Sequence, residues 1–533
     1  MGRSPAAHLE RQPPMTWRQY LLLALLGLAA VTFVAALQPS PGYMDADYYY
    51  AGGLQLVNGH GFTEPYLWNY LDDPAGLPHP SHAYWMPLAS LLAAAGAAVF
   101  GPASWFAART GFLLVAALIP PLTAALAWSF TSRRDLALTS GLLAVFPAFY
   151  LSFLPVTDTF GLYMLFGGLF FLILNRRSSA FNPLLLGLLA GLMHLARTDG
   201  LLWLLLAFVA VLLFRKPNQS LFSILYSLLS ILAGYLLVMA PWFIRNYAAF
   251  GTPLAPGGSK MLWLTSYDQL FSYPASQITF SAWWQSGLRA ILRVRAWSLG
   301  LNLSNMLSVQ GEVFLLPLIG LGFWHLRKDR RVQFAGLAWL MTLAAMTAVF
   351  PFAGARGGFF HSGASVQTVW WALAPAGLDR VIAWGSRKRG WNVAQAGTIF
   401  RSGLVALAAL LTAVIVYGRV MGGGGGPVWS QENDAYSQIR TILVSQGMTD
   451  EAVVMVANPP GFYLASGNPA IAVPDGDVNT LLRVAQRYGA KYVILEEGGT
   501  PGGLMPVYDH PAEQTGLQYL GDVGGAYIYG IQP

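Results

Sequence analysis

Eleven apolar runs of 14 to 26 residues, separated by short clusters of Arg and Lys, constrain this chain more than any other feature. A helix rises about 1.5 Å per residue, so most of these runs suit a hydrocarbon layer roughly 30 Å thick. They fall near 19–37, 105–130, 136–154, 159–174, 183–196, 199–214, 220–243, 312–326, 332–351, 365–385 and 401–420. Counted this way, Arg133-Arg134, Arg176-Arg177, Arg215-Lys216, Arg327 to Arg331 and Arg387-Lys388-Arg389 all land on the side of the N-terminus, as cytoplasmic loops require. The run Met86 to Phe100 is shorter and rich in Ala and Gly. Counting it as a span would invert every later cluster, so it reads as a juxtamembrane helix on the outer face.

Composition closes several alternatives. With 55% hydrophobic and 10% charged residues over 533, the chain has too few charges to cover a soluble globule. The net charge of +7 is carried mostly by the inner-loop clusters, which excludes nucleic acid as a partner and makes the lipid bilayer one. No Cys occurs, so disulfides, thiolate metal sites and a Cys nucleophile are absent. The N-terminal run lacks a small-residue cleavage site at Gln38-Pro-Ser-Pro41 and reads as a retained signal-anchor helix.

After Gly422 to Gly426 the text changes to a soluble α/β pattern. Helices are expected over 435–446 and 478–488, and strands over 452–457, 470–473, 491–495 and 526–531. The expected fold is thus a multi-pass α-helical membrane protein with about eleven transmembrane helices, a large first outer loop with juxtamembrane helices, and a small C-terminal α/β domain. Its parts are a cytoplasmic tail (1–18), a transmembrane domain (19–421), a glycine hinge (422–427) and an extracytoplasmic domain (428–533).

Thirteen Asp and Glu precede the hinge, and nine fall on the outer face: Asp45, Asp47, Glu64, Asp72, Asp73, Asp158, Asp199, Asp268 and Glu312. Cations outside the inner clusters join them: His194, Arg197, Arg245, Lys260, Arg356 and His361. Mixed charges at the mouths of several spans point to an outer-leaflet cavity that binds an anion and performs acid–base work. Asp45 and Asp47 open the first loop, beside Tyr48 and Tyr49, whose rings and hydroxyls suit a sugar. Asp158 opens a later span. Arg197, on a short apex below the outer surface, needs an anion, either Asp199 as an ion pair or a phosphate. Trp283-Trp284, Trp297, Arg289, Arg293 and Arg295 suit a helix in the interface.

Met44-Asp-Ala-Asp-Tyr-Tyr-Tyr50, Tyr84-Trp-Met-Pro-Leu88, Ala108-Arg-Thr110, Asp158, Ala196-Arg-Thr-Asp-Gly200 and Pro241-Trp-Phe-Ile-Arg-Asn246 follow in a telling order. In that order and spacing, over roughly 18–385, the chain resembles the polytopic glycosyltransferases of the C superfamily, in the bacterial branch of protein O-mannosyltransferases and lipid A aminoarabinose transferases. The resemblance implies inverting transfer of a sugar from a polyprenyl-phosphate donor to a lipid, glycan or protein on the outer face of the cytoplasmic membrane. It implies catalysis by Asp45, Asp47 or Asp158, with a divalent metal an option among those three. Donor phosphate would meet Arg197, Arg245, Lys260, Arg356 and His361; sugar or acceptor would meet Tyr48, Tyr49, Glu64 and His82. Relatives carry Asp-Glu where this chain has Asp45-Ala46, and a Lys absent here at Trp85-Met86. A transporter or flippase of lipid-linked saccharides is the alternative, although it should place polar residues near the midplane.

Overall fold

The computed structural model describes residues 13–101, 104–174, 183–213, 220–424, 428–511 and 516–532. Among the described residues, each of the eleven apolar runs is largely helical. Five helices among the described residues are long and apolar enough to cross a membrane: Trp17–Ala36, Trp105–Thr131, Leu221–Phe250, Arg330–Val349 and Val393–Arg419. Of the shorter apolar helices, Phe160–Ile173 packs on Trp105–Thr131, Pro183–Ala196 on Leu221–Phe250, and Leu316–Leu326 on Phe359–Arg389. Exposed Leu22, Leu114, Leu237 and Leu410 form the outer surface of the bundle, while Trp371, Tyr163 and Phe170 fill its interior. Apolar outside as well as inside is the pattern of a protein solvated by lipid. Arg176-Arg177 and Arg215-Lys216 lie outside the described residues, as do residues 1–12 of the expected N-terminal tail and 425–427 of the expected hinge.

Several helices depart from their expected boundaries, among them Val393–Arg419, which begins before 401, and two that bear on the site. The helix expected over 365–385 begins earlier, at Phe359, and runs to Arg389. The Gly-rich turn before it is a π-helical turn, Gly354–Gly358, kinked at Arg356 and Gly357. Gly357 has φ +111°, a conformation that a residue with a Cβ rarely adopts, so glycine at this point lets the chain bend sharply into the long helix. The second departure is Leu221–Phe250, which extends the expected span and carries Arg245 within the helix.

Phe160–Ile173 and Phe359–Arg389 touch backbone to backbone. A Cβ on Gly167 would lie 1.9 Å from the Ser365 carbonyl oxygen, so only glycine permits this approach. The consequence is that the N-terminal ends of both helices, with Asp158 just before one and His361 in the first turn of the other, arrive side by side.

The first outer loop opens with the helix Met44–Val57 and continues to Leu88–Phe100, the short helix expected from the sequence. These two pack tightly, since a Cβ on Gly53 would meet the Ala93 side chain at 2.8 Å. In the second long loop Phe280–Gln285 and Leu288–Asn305 carry exposed Trp284 and Trp297. There Arg295 lies over the Trp283 ring at 5.3 Å.

Residues 428–532 and one piece of the first loop share a six-stranded sheet in the order Tyr66–Leu67, Ala470–Ala472, Val453–Val456, Ala490–Leu495, Ala526–Ile531, Leu517–Val523. The first four strands are parallel and the last two pair antiparallel. Helices Gln431–Ser445, Pro459–Ser466 and Val478–Tyr488 flank it. Leu481, Val484 and Tyr488 recur on one face of the last helix and bury against Ile471, Val493 and Leu495.

Candidate active site

The site begins with the chain leaving the first membrane helix. Tyr43 caps the Met44–Val57 helix in an extended conformation, and Asp45 and Asp47 fall in the first turn, where the helix N-terminus favours negative charge. Two residues apart on a helix is about 200° of rotation, so the two carboxylates face opposite ways.

Asp45 faces His361 and Asp158. His361 Nε2 lies 3.0 Å from Asp158 Oδ2 and 3.5 Å from Asp45 Oδ2. Tyr43 donates its hydroxyl to Asp158 Oδ2 at 2.5 Å, and the Thr159 N–H reaches Asp158 Oδ1. The His361 ring stacks on Phe160 with centroids 3.9 Å apart. Its Nδ1 lies 2.9 Å from the Gly357 carbonyl oxygen, a pure acceptor, so Nδ1 carries a proton and donates. Nε2 is left turned toward two carboxylates, an arrangement that calls for a proton or a cation among the three groups.

The two acids differ in titration. Burial, then the neighbouring Asp158 charge, raises Asp45 to about 6, against the opposing pull of His361 and Arg197. Burial would raise Asp158 too, but the charge and hydrogen bond of His361, with the bonds from Tyr43 and Thr159, outweigh it and hold Asp158 below the usual carboxylate range. Asp45 keeps 28% of its side chain accessible, against 1% for Asp158. One acid is a fixed anion and the other an open group that exchanges a proton near neutrality.

A second pair lies alongside. Arg197 Nε donates to Asp199 Oδ1 at 2.9 Å, and Ser362 donates to Asp199 Oδ2 at 2.7 Å. Consecutive residues His361 and Ser362 therefore tie the two sets together. Tyr49 is buried where the charges of Asp158, Arg197, Asp45 and Asp199 all act on its hydroxyl. Arg356 is exposed and lies over the Tyr267 ring at 4.4 Å, and both the Arg356 and Asp45 charges act on that ring's hydroxyl. Arg356 thus borders the cluster, and among the described residues its guanidinium forms no ion pair.

Other expected residues are placed elsewhere. Asp47 accepts from the Asn458 amide at 2.9 Å, in the C-terminal unit, and does not join Asp45 and Asp158. Tyr48 donates to Glu64 Oε2 at 2.8 Å and accepts from the His82 N–H at 2.8 Å. The His82 ring is held by Ser81 and Ser90, so all three form a buried knot that braces the loop. Lys260 donates to the carbonyls of Ala275 and Ile278. Arg245 donates to Asn246 and to the Phe62 carbonyl, between the rings of Phe62, Trp242 and Phe250. Tyr43, Ser362 and Tyr267 were missed as site residues; nothing in their type announces that they will meet Asp158, Asp199 and Arg356.

Asp45, Asp158 and His361 each offer a ligand atom, all within 4.8 Å of one another. Two carboxylate oxygens and an imidazole nitrogen suit a divalent ion such as Mn²⁺ or Zn²⁺. The Nδ1–H bond to Gly357 orients the ring as metal-bound imidazoles are oriented.

No family model matches the chain, and no curated protein matches it in sequence. Solved structures do. ArnT of Cupriavidus metallidurans in the apo state superposes with a TM-score of 0.57 at 11% identity, over 96% of this chain and 97% of that one. The same protein bound to undecaprenyl phosphate gives 0.53 at 12% identity, over 97% and 98%. The Archaeoglobus fulgidus oligosaccharyltransferase in complex with Zn and sulfate gives 0.54 at 14% identity, over 89% of this chain and 67% of that one. The chain therefore shares the fold of these proteins, which the sequence resemblance implied. At such identities the likeness is one of fold.

Proposed function

We propose that this chain is a membrane glycosyltransferase that moves a sugar, with inversion, from a polyprenyl-phosphate-linked donor to an acceptor on the outer face of the cytoplasmic membrane. The observation that carries this reading is the convergence of Asp45, Asp158 and His361 beside Arg197 and Arg356, at the mouths of several apolar helices. Solved proteins of this fold hold undecaprenyl phosphate in one case and Zn with sulfate in another. A lipid-phosphate donor and a divalent ion both fit the charges found here.

In the reaction the acceptor oxygen attacks the anomeric carbon, the bond from that carbon to the phosphate oxygen breaks, and the polyprenyl phosphate leaves with the electron pair. Asp45 takes the acceptor proton, for which a carboxylate with 28% of its side chain accessible is placed. Asp158 stays ionised, held by Tyr43 and Thr159, and fixes His361. Arg356, stacked on Tyr267, offers charge to the leaving phosphate; Arg197, balanced by Asp199, adds a positive edge near Tyr49. A divalent ion held by Asp45, Asp158 and His361 would stabilise the negative charge that develops on phosphate.

The test is release of polyprenyl phosphate and transfer of labelled sugar by the full chain in lipid nanodiscs, offered a panel of polyprenyl-phosphate sugars and of lipid, glycan and peptide acceptors. Transfer of any sugar that depends on Asp45 supports the reading. Movement of intact lipid-linked saccharide between leaflets without bond cleavage would replace it with the flippase alternative. The sidedness is checked on intact cells, because a chain without Cys labels cleanly: Ser445→Cys should react with an impermeant thiol reagent and Lys328→Cys should not.

A further inference from the structure

The helix that carries Asp45 presents its other side to residues 428–532. There Asp47, only 6% exposed, accepts from Asn458 Nδ2 at 2.9 Å. The same amide donates to Glu432 Oε2 at 3.1 Å, so one side chain joins two carboxylates from different parts of the chain. Asn458 Oδ1 meanwhile accepts from the Gly461 N–H and caps the helix Pro459–Ser466. That helix end lies close against the acid, since a Cβ on Gly461 would sit 2.9 Å from Asp47 Oδ2. Around this point Gln55 donates to the Tyr463 hydroxyl at 2.9 Å, Tyr70 donates to the Ala472 carbonyl, and Trp429 donates to the Ser40 carbonyl at 3.1 Å. The strand Tyr66–Leu67 completes the attachment by pairing with Ala470 and Ile471.

The first loop is thus held at both ends of its helix and along a strand by a unit that contributes no residue to the Asp45, Asp158 and His361 cluster. A two-residue spacing makes the coupling direct, because any rotation of the helix that frees Asp47 swings Asp45 away from His361.

We infer that Asn458 is a positioning residue: by clamping Asp47 it fixes the rotation of the Met44–Val57 helix and so sets Asp45 against Asp158 and His361. The C-terminal unit is on this view a part of the active-site scaffold supplied in cis. The inference rests on the glycosyltransferase reading for its activity arm, and on hydrogen exchange for an arm that does not need it.

Asn458→Asp is the incisive variant. It keeps the oxygen that caps Gly461 and replaces the donor facing Asp47 and Glu432 by a third acid. In the full chain in nanodiscs, amides of residues 45–50 should exchange faster, and kcat should fall roughly ten- to hundredfold, as unpaired buried polar groups commonly cost, with KM for donor nearly unchanged. Two rescues exclude simple misfolding. Asn458→Asp combined with Asp47→Asn returns an amide and an acid to the contact and should recover most of kcat. Gln55→Cys with Tyr463→Cys, joined by a short thiol crosslinker in the Asn458→Asp background, should restore both slow exchange and turnover. The inference fails if Asn458→Asp leaves exchange over 45–50 unchanged, if exchange rises while kcat stays at the wild-type value, or if neither rescue restores what was lost. A wild-type chain that transfers no sugar from any donor would overturn the glycosyltransferase reading, while the exchange experiment would still decide whether Asn458 holds this helix.

Discussion

The two faces of the Met44–Val57 helix carry acids in opposite company. On one face Asp45 sits among Asp158, His361, Arg197, Asp199 and Arg356, where acids and cations are mixed and one carboxylate stays open. On the other, Asp47, Glu432 and Glu496 gather around Asn458 and Tyr436, and none of the three forms an ion pair among the described residues. Mixed charge around an accessible acid suits binding and turnover of an anion. Acids joined through one amide and one phenol, with Asp47 buried and Glu432 and Glu496 half-buried, suit a fixed contact more than a binding site. Sequence alone puts Asp45 first with Asp47 as its nearest rival, and what sets them apart in the structure is what the rest of the chain brings to each side.

Removing divalent ions should have the largest effect on this contrast. Chelation should lower turnover by about 10³-fold, as several kcal/mol of lost charge stabilisation implies, and leave the Asp47 face untouched. Readdition of Mn²⁺ or Zn²⁺ should restore it in the wild type and not in His361→Ala; full activity in chelator would remove the ion from the mechanism. Arg356→Ala comes next. It should weaken binding of a lipid-phosphate donor by about 1.5–3 kcal/mol, measured by titration of the donor, with hydrogen exchange over 45–50 unaltered. Unchanged donor affinity would take Arg356 out of the phosphate site.

The smallest effect belongs to the other face. Burial, then the charge of Glu432, raises Glu496 to about 8 from an ordinary 4.5, so the folded form binds a proton more readily than the unfolded one. Stability of residues 428–532 should be greatest below about 4.5, decline as pH rises toward 8, and level off above it. Thermal unfolding followed against pH checks this, and Glu496→Gln should flatten the slope. An unchanged slope in that variant would assign the pH dependence to other groups.

The helices of the apolar part were legible because apolar runs obey a simple rule of length, and five of those described are long and apolar enough to cross a membrane. The helix expected over 478–488 matches the observed Val478–Tyr488, since its apolar spacing is strong and Gly489 ends it. Asp45, Asp158 and His361 could each be singled out as an uneconomical polar residue near a membrane face. Their meeting could not, because it depends on Gly167 letting two helices touch and on Gly357 bending the chain before His361. Tyr48, Glu64 and His82 looked like sugar ligands for the same reason that they make a good buried knot: a phenol, an acid and an imidazole satisfy one another as readily as a substrate. The strand Tyr66–Leu67 was invisible, being two residues long and defined only by its partner in another part of the chain.

The two faces of one helix divide chemistry from attachment, and this division is tested most directly by comparing sugar transfer from a polyprenyl-phosphate donor by Asp45→Asn and Asp47→Asn proteins, side by side in nanodiscs. Asp45→Asn should lose about 10²–10⁴ in kcat with donor binding retained, as loss of a general base does. Asp47→Asn, which can still accept from Asn458, should keep most of its turnover. An Asp45→Asn protein that transfers sugar normally, or an Asp47→Asn protein that is dead while exchange over 45–50 is unchanged, would contradict the division and move the catalytic role to the other face.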